Sequence, residues 1–163
     1  MILRDETAAD VDAIAALVTA AFTDAEHSDG NEAAIVADLR AGNGLLLSLL
    51  AEDTGALLGH IAASAVTVGG EPGWACIAPV SVAPAAQRRG VGSALMTAAM
   101  ARLQALGTGG GVILGDPDYY RRFGFVADGR RRIAGVPQDY VLSHVLTTDP
   151  PGDVGFHPAF GMA

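Results

Sequence analysis

The spacing of hydrophobic residues changes along the chain and predicts the order of its elements. The segment ILR can form a first strand, and Thr7 with Asp10 resembles a capping box at the start of a helix. The apolar residues of this helix recur at helical spacing, at Val11, Ile14, Leu17, Val18, Ala21 and Phe22. A polar stretch, TDAEHSDGN, separates it from a second helix, EAAIVADLRAG, which is predicted to end at Gly42.

After the second helix the pattern becomes that of β-strands. Three runs rich in valine, isoleucine and leucine are separated by two turn signals, EDTG and VGGEPG, which predicts an antiparallel meander. Pro79 lies inside the third run. Because proline has no amide hydrogen to donate, we expect it at an edge or a bulge, where neighbouring strands can separate and admit a ligand.

The second half of the chain alternates helices with short strands. One face of a central helix is marked by Val91, Leu95, Ala99, Leu103 and Leu106, and the helix is predicted to end near Gly107. A strand GGVILG, a short helix DPDYYRRF with Asp116 as N-cap, and strands GFVAD and YVLSHVL follow. A right-handed crossover through the central helix would join parallel strands. The sequence therefore predicts a single α/β (α+β) domain over residues 1–163, with a mixed, mostly antiparallel sheet and helices on both faces.

Composition and charge narrow the functional classes. Half of the 163 residues are hydrophobic and 17% are charged, as in one packed globular domain. The net charge of −8 makes nucleic acid an unexpected partner. The N-terminus resembles neither a signal peptide nor a membrane anchor, so we expect a cytoplasmic protein. Four histidines, His27, His60, His144 and His157, show no close metal-ligand spacing, and no metal is expected.

The segment PVSVAPAAQRRGVGSAL, residues 79–95, carries the strongest chemical signal. A helix that begins directly after a strand points unpaired amides and the positive end of its dipole at whatever lies before it. Gly90 and Gly92 permit close approach, and Arg88 and Arg89 add positive charge, which suits a pyrophosphate. The alternative is that the two glycines only permit a tight turn and close packing.

This segment resembles the acyl-CoA motif of the GNAT superfamily of N-acetyltransferases. The pattern is a valine strand, a proline, Gln or Arg, two residues, Gly, any residue, and Gly or Ala. LGDPDYYRRFGF and the tail FHPAF are similar to the YhbS-like branch of predicted acetyltransferases. The resemblance implies a GNAT-like fold with a splay between the central parallel strands, and acetyl-CoA as cosubstrate.

The resemblance also implies the contacts of the cofactor. The backbone of Val80, Ser81 and Val82 would face the pantetheine arm and the thioester, and an amide there would polarise the thioester carbonyl. The pyrophosphate would be held by the amides of Gln87, Arg88, Arg89, Gly90, Val91, Gly92 and Ser93.

Catalytic residues are implied less directly. In many members of the family a tyrosine four residues before a Gly-Phe pair protonates the leaving thiolate, and Tyr120 has this spacing. Arg121 and Arg122 could lower the pKa of Tyr120, or form a solvated face; the alternative role of Tyr119 and Tyr120 is aromatic packing. Glu71 is the candidate general base. Glu32 and His144 are other candidates. The alternative for each of the three is an ordinary surface or turn residue, and a water chain to bulk solvent would also serve as proton acceptor.

These observations predict an enzyme that transfers acetyl directly from acetyl-CoA to an amine. A ping-pong route is disfavoured because Cys76, expected to be a small buried residue, has no evident basic partner. The alternative function is a catalytically inactive acyl-CoA sensor or partner-binding module of the same fold. An apolar strand edge near the C-terminus could pair two subunits as a homodimer. The arginines at positions 130–132 are expected to form a solvated turn, or to hold a phosphate or an acidic substrate.

Overall fold

A computed structural model of the chain describes residues 1–23, 25 and 28–161. The α-helices are α1 (Val11–Phe22), α2 (Glu32–Ala41), α3 (Val91–Ala105) and α4 (Pro117–Tyr120). The strands are β1 (Ile2–Asp5), β2 (Leu45–Asp53), β3 (Ala56–Val68), β4 (Glu71–Val82), β5 (Gly110–Leu114), β6 (Arg131–Arg132), β7 (Val141–Val145) and β8 (Gly152–Gly155). No helix among the described residues is both long enough and apolar enough to span a membrane.

The strands form one mixed sheet. Its main order is β1-β2-β3-β4-β5-β7, and β8 pairs with both β3 and β6. β1 to β4 pair as antiparallel neighbours, β5 pairs with β7 antiparallel, and β4 pairs with β5 in parallel. The helix α3 makes the crossover between β4 and β5. The predicted single-domain architecture, a mostly antiparallel sheet with a central parallel pair, is confirmed.

Side chains alternate between the two faces of this sheet, and each face buries a different set of helices. The α3 face, where α3 packs, buries Leu49, Ile61 and Ile77 with Leu95. The opposite face, called the α1 face below, buries Leu50 against Ile14 and Val18 of α1. Leu50 of β2 lies opposite His60 of β3, and Ser64 of β3 lies opposite Cys76 of β4, so these four side chains share the α1 face. A ligand that passes between two strands can therefore reach both sets of helices.

The local signals at the helix ends are confirmed. The amide of Thr7 donates to Asp10 at 2.7 Å, completing the predicted capping box before α1. The amide of Asp118 donates to the carboxylate of Asp116 at 2.9 Å, so Asp116 is the N-cap of α4. Of the predicted α3 stripe, the residues from Val91 to Leu103 are buried, whereas Leu106 is 56% exposed because it follows the last turn.

Two expectations about the C-terminal part are wrong. The segment GFVAD forms only one bridge, Val126 with Ser143, instead of a strand. Arg131 does not lie in a solvated turn: it is fully buried, donates to Asp128 and to Ser143, and stacks on Trp74 at 4.6 Å. A buried guanidinium needs partners for its charge, and the acidic residues around this turn supply them.

Candidate active site

The central feature of the site is a gap between the parallel strands β4 and β5. Their registered pairing consists of Ala75 with Gly111 and Cys76 with Val112. Beyond Cys76 the two strands diverge, while β4 stays paired with β3 as far as Val82. The second half of β4 therefore has one free edge, whose backbone can pair with an extended ligand.

A bulge at Pro79 shapes the free part of β4. Ile61 lies opposite Val80 and Ala63 opposite Ile77, so one β3 residue lies opposite both Ala78 and Pro79. The prediction that Pro79 lies at a bulge is confirmed. Because the extra residue shifts the alternation of side chains, Val80 points to the α3 face, as Ile77 does.

The ladder to β3 decides which backbone groups of β4 face the gap. The amide of Ala83 donates to the carbonyl of Leu58 at 2.8 Å. Hydrogen-bonded pairs alternate along an antiparallel ladder, so the next such pair is Ser81 with His60. The N–H and C=O groups of Val80 and Val82 therefore point away from β3, into the gap.

Ser81 differs from its two neighbours and corrects the expectation for this strand. Its backbone is directed at β3, so it does not face the gap. Its hydroxyl is buried on the α1 face and has no hydrogen-bond partner among the described residues. Of the three strand residues, the geometry retains Val80 and Val82 as candidate cofactor contacts.

The turn between β4 and α3 presents a row of free amides. The first hydrogen bond of α3 runs from the amide of Ala94 to the carbonyl of Gly90. Within the described part of the chain, the backbone amides from Gln87 to Ser93 have no protein acceptor. Arg88 and Gly90 adopt φ values of +64° and +83°, and left-handed residues of this kind turn successive amides toward a concave anion site.

Charge and space at this turn suit a phosphate. Arg88 and Arg89 are exposed and pair with no carboxylate of a described residue. A Cβ on Gly92 would lie 3.3 Å from the hydroxyl of Tyr119 and 3.6 Å from Val82. Gly92 thus lies where α3, α4 and the end of β4 meet, and the hydroxyl of Tyr119 adds a donor beside the free amides. The sequence pattern singled out Tyr120 and missed this position of Tyr119.

Tyr120, in α4, also lines the gap. It borders the same cavity as Val80 and Ile113, and its ring packs against Gly115 and edge-to-face against Tyr119, with centroids 4.8 Å apart. Burial, with smaller contributions from Tyr119 and Asp116, raises the pKa of Tyr120 to about 12.

Of the two alternatives for Arg121 and Arg122, the structure contradicts the one in which they lower the pKa of Tyr120. Arg122 stacks on the ring of Tyr119 at 4.7 Å, and Arg121 lies 4.0 Å from Asp118. Both guanidinium groups are thus directed at other partners. With a pKa of about 12, Tyr120 is protonated at neutral pH, as an ordinary tyrosine also is, and can act as a hydrogen-bond donor.

The candidate bases lie in three different places. Glu71 is exposed at the start of β4, roughly 25 Å from Pro79 at about 3.3 Å per residue. His144 lies on β7 and bonds through its Nδ1 to the carbonyl of Phe123 at 2.9 Å. Glu32, at the start of α2, lines the cavity at the gap and accepts a hydrogen bond from Ser28. The structure does not bring Glu71 to the gap, and it favours Glu32.

A cavity of about 280 Å³ runs through the gap. Val80, Ile113 and Tyr120 line it on the α3 side. The lining on the α1 side includes Phe156 and Phe160. The sequence pattern marked these residues only as part of the tail FHPAF and did not predict that they line the cavity. Cys76 also lines the cavity, and burial raises the pKa of its thiol to about 12, so it is a poor nucleophile at neutral pH.

The remaining histidines do not form a metal site with other described residues. His60 is buried and bonds to Ser48 at 2.8 Å, and the side chain of His157 accepts from the amide of Ala159. His27 lies outside the described residues. Among those described, no group of three or more His, Cys, Asp or Glu side chains could hold a metal ion.

Comparisons with known proteins agree with this geometry. The sequence profile of the acetyltransferase (GNAT) family matches residues 11–125. The uncharacterized N-acetyltransferase YhbS of Escherichia coli K12 is 37% identical over 127 residues, which cover 77% of this chain and 73% of YhbS.

Two solved structures share the fold over nearly the whole chain. A GNAT family acetyltransferase from Brucella melitensis, in complex with acetyl-CoA, has a TM-score of 0.88 and 42% identity over 98% of this chain and 97% of its own. E. coli YhbS in complex with CoA has a TM-score of 0.89 and 31% identity, over 98% of this chain and 91% of its own. The match in sequence and in fold shows that this chain belongs to the GNAT family of acetyltransferases.

Proposed function

We propose that this protein transfers acetyl directly from acetyl-CoA to an amine. The observation that carries the proposal is the gap between β4 and β5, which ends at the free amides of residues 87–93. A ligand that combines a diphosphate with an extended amide-bearing arm would use both parts of this site. The Brucella and E. coli relatives crystallised with acetyl-CoA and CoA support this choice.

The cofactor would be held by two kinds of backbone contact. The N–H and C=O groups of Val80 and Val82 would pair with the pantetheine arm, as one strand pairs with another. The amides of Gln87 to Ser93 would bind the pyrophosphate, assisted by the charges of Arg88 and Arg89. An N–H group of Val80 or Val82 that faces the gap would also stabilise negative charge on the thioester oxygen.

The reaction requires a free amine, because an ammonium group has no lone pair for attack. The amine nitrogen attacks the carbonyl carbon of the thioester, a C–N bond forms, and the C–S bond breaks. Of the two protons that the ammonium loses, one ends on the CoA thiolate and the other reaches solvent. Glu32 is the candidate acceptor of a proton from the amine, and Tyr120 the candidate hydrogen-bond donor to the thiolate.

Direct transfer is favoured over a covalent acetyl-enzyme. Cys76 is the one cysteine of the chain, and burial raises the pKa of its thiol to about 12. A thiolate nucleophile would need a base or a positive charge beside it. Cytoplasmic localisation and a homodimer through the last strands stay predictions from the sequence.

Gly92→Val tests the cofactor site. The new side chain would project toward the hydroxyl of Tyr119 and toward Val82, which lie 3.3 Å and 3.6 Å from where its Cβ would stand. Loss of one or two charge-assisted hydrogen bonds, at about 1.5–3 kcal/mol each, should weaken acetyl-CoA binding at least tenfold. Calorimetric titration measures the affinity, and CoA release with a panel of amines measures turnover.

Ala101→Val is the matched control, because it places a valine on the exposed surface of the same helix. It should bind acetyl-CoA like the parent. NAD should not compete, because it lacks the pantetheine arm. Unchanged affinity in a folded Gly92→Val variant would remove the turn from the cofactor site, and tight binding of acetyl-CoA without turnover of any amine would favour the sensor.

A further inference from the structure

The cavity extends beyond the part that borders the proposed cofactor contacts. On the α1 face it is lined by Phe22, Glu32, Cys76, Ile133, Phe156 and Phe160, which together we call the acceptor compartment. Phe22 ends α1, Glu32 begins α2, and Phe160 lies in a short C-terminal helical turn that packs against α2. Separate segments of the chain thus meet around one space, on the side of the sheet opposite Tyr120.

The walls of the acceptor compartment are apolar and largely aromatic. Cys76 and Ile133 belong to one buried apolar cluster, against which Phe156 and Phe160 pack. The rings of Phe156 and Phe160 are tilted, with centroids 5.5 Å apart. Pockets of this kind bind apolar bodies, and a few polar groups fix the orientation of the ligand.

Glu32 is the single ionisable carboxylate among the described residues that line the cavity. One of its oxygens, Oε1, accepts from Ser28, which leaves the other able to accept a hydrogen bond from a ligand. A single carboxylate can pair with a single ammonium group. Each further charge placed against apolar walls would have to be buried without a partner, which is costly.

We propose that the acceptor is a primary amine attached to an aromatic or branched aliphatic body, such as an aralkylamine. Glu32 pairs with the ammonium group, and the body packs against Phe156 and Phe160. This inference rests on the acetyltransferase function proposed above and names its substrate class. Polycations such as polyamines and aminoglycosides fit the apolar walls poorly.

The test compares amines at saturating acetyl-CoA by the release of CoA. Phenethylamine and isoamylamine should have a kcat/KM at least tenfold above those of spermidine and ethanolamine. Phe160→Ala should lower kcat/KM for phenethylamine at least tenfold while the KM for acetyl-CoA stays within a few fold, and Phe160→Leu should restore part of the loss. A spermidine rate above that of phenethylamine would overturn the proposal.

The role of the carboxylate is tested with a matched pair on one helix. Glu32→Gln should raise the KM for phenethylamine at least tenfold, lower kcat because Glu32 is also the candidate proton acceptor, and leave acetyl-CoA affinity unchanged. Asp38→Asn removes an exposed carboxylate from the same helix and should leave all three values unchanged. If both variants raise the KM for phenethylamine by the same factor, the general charge of the protein, and not a contact at Glu32, is responsible. If neither variant raises it, Glu32 does not pair with the amine.

Two further measurements separate this proposal from the proposed function. Calorimetry of phenethylamine with the CoA-bound protein tests the compartment without turnover: binding that Phe160→Ala weakens, in a protein that acetylates no amine, would refute the function and support the compartment. Turnover of spermidine without any binding of phenethylamine would support the acetyltransferase function and refute the proposed substrate class. Faster transfer from hexanoyl-CoA than from acetyl-CoA to ethanolamine would assign the apolar space to the acyl chain and overturn the proposal.

Discussion

Replacing Tyr120 with phenylalanine removes one hydroxyl group and keeps the aromatic ring. Burial raises the pKa of Tyr120 to about 12, whereas an ordinary thiol has a pKa of about 8.5. Full proton transfer from Tyr120 to the thiolate would therefore be uphill by about 5 kcal/mol, at about 1.4 kcal/mol per pKa unit. The structure favours a hydrogen bond from a protonated tyrosine that strengthens as the thiolate forms.

The size of the expected effect follows from that role. A hydrogen bond to a charged group contributes about 1.5–3 kcal/mol, so Tyr120→Phe should lower kcat about 10- to 150-fold. Acetyl-CoA affinity should stay within a few fold, because the ring still packs against Gly115 and Phe123. The unfolding midpoint should change little for the same reason.

The other two tyrosines serve as controls with different expected outcomes. The hydroxyl of Tyr119 lies beside Gly92, so Tyr119→Phe should weaken acetyl-CoA binding several fold with a smaller effect on kcat. Tyr140 is 49% exposed and does not line the cavity, so Tyr140→Phe should change neither.

The assay is steady-state CoA release across pH 6–10 with all three variants beside the parent. A pKa of about 12 predicts that ionisation of Tyr120 contributes no basic limb in this range. Two results would refute the reasoning: equal kcat in Tyr120→Phe and the parent, or a basic limb near pH 9 that disappears only in Tyr120→Phe.

Two more predictions concern residues around the site. A Cβ on Gly115 would lie 2.5 Å from Cε2 of Tyr120, so Gly115→Ala should displace the ring and lower kcat at least tenfold. In the control Gly111→Ala the new Cβ would lie 3.4 Å or more from its neighbours, so kcat should change little. Equal kcat values in the two variants would contradict this contact. Burial lowers the pKa of His60 to about 4, from about 6.5 in the unfolded chain. Its contribution to the free energy of unfolding is therefore complete above pH 6.5, and up to about 3 kcal/mol is lost as pH falls from 6.5 toward 4. Urea unfolding across this pH range should show a shallower loss of stability in His60→Gln than in the parent, and parallel pH profiles would refute the assignment.

Local signals in the sequence determined the elements and the turn that the cofactor motif occupies. The capping residues Thr7 and Asp116, the helix stripes and the strand alternation act between neighbours in the chain, so their spacing is enough to predict them. The bulge at Pro79 was also predictable, because a residue without an amide hydrogen cannot continue a central ladder. The mixed sheet followed from the length of the crossover helix.

The tertiary structure decided which side chains meet. Glu71 and Glu32 look alike as candidates in the sequence, but only Glu32 reaches the gap, because α2 packs beside the end of α1. The pKa of Tyr120 depends on burial and on where Arg121 and Arg122 turn, and not on their adjacency in the chain.

The same holds for contacts between distant segments. Arg131 is buried because Asp128 and Asp149 surround it and Trp74 lies under it, three contacts of which two come from remote parts of the chain. Phe156 and Phe160 became walls of the cavity through the packing of the C-terminal turn against α2. Hydrophobic spacing predicts that a residue is buried, whereas the partner it is buried against depends on long-range packing that no local pattern contains.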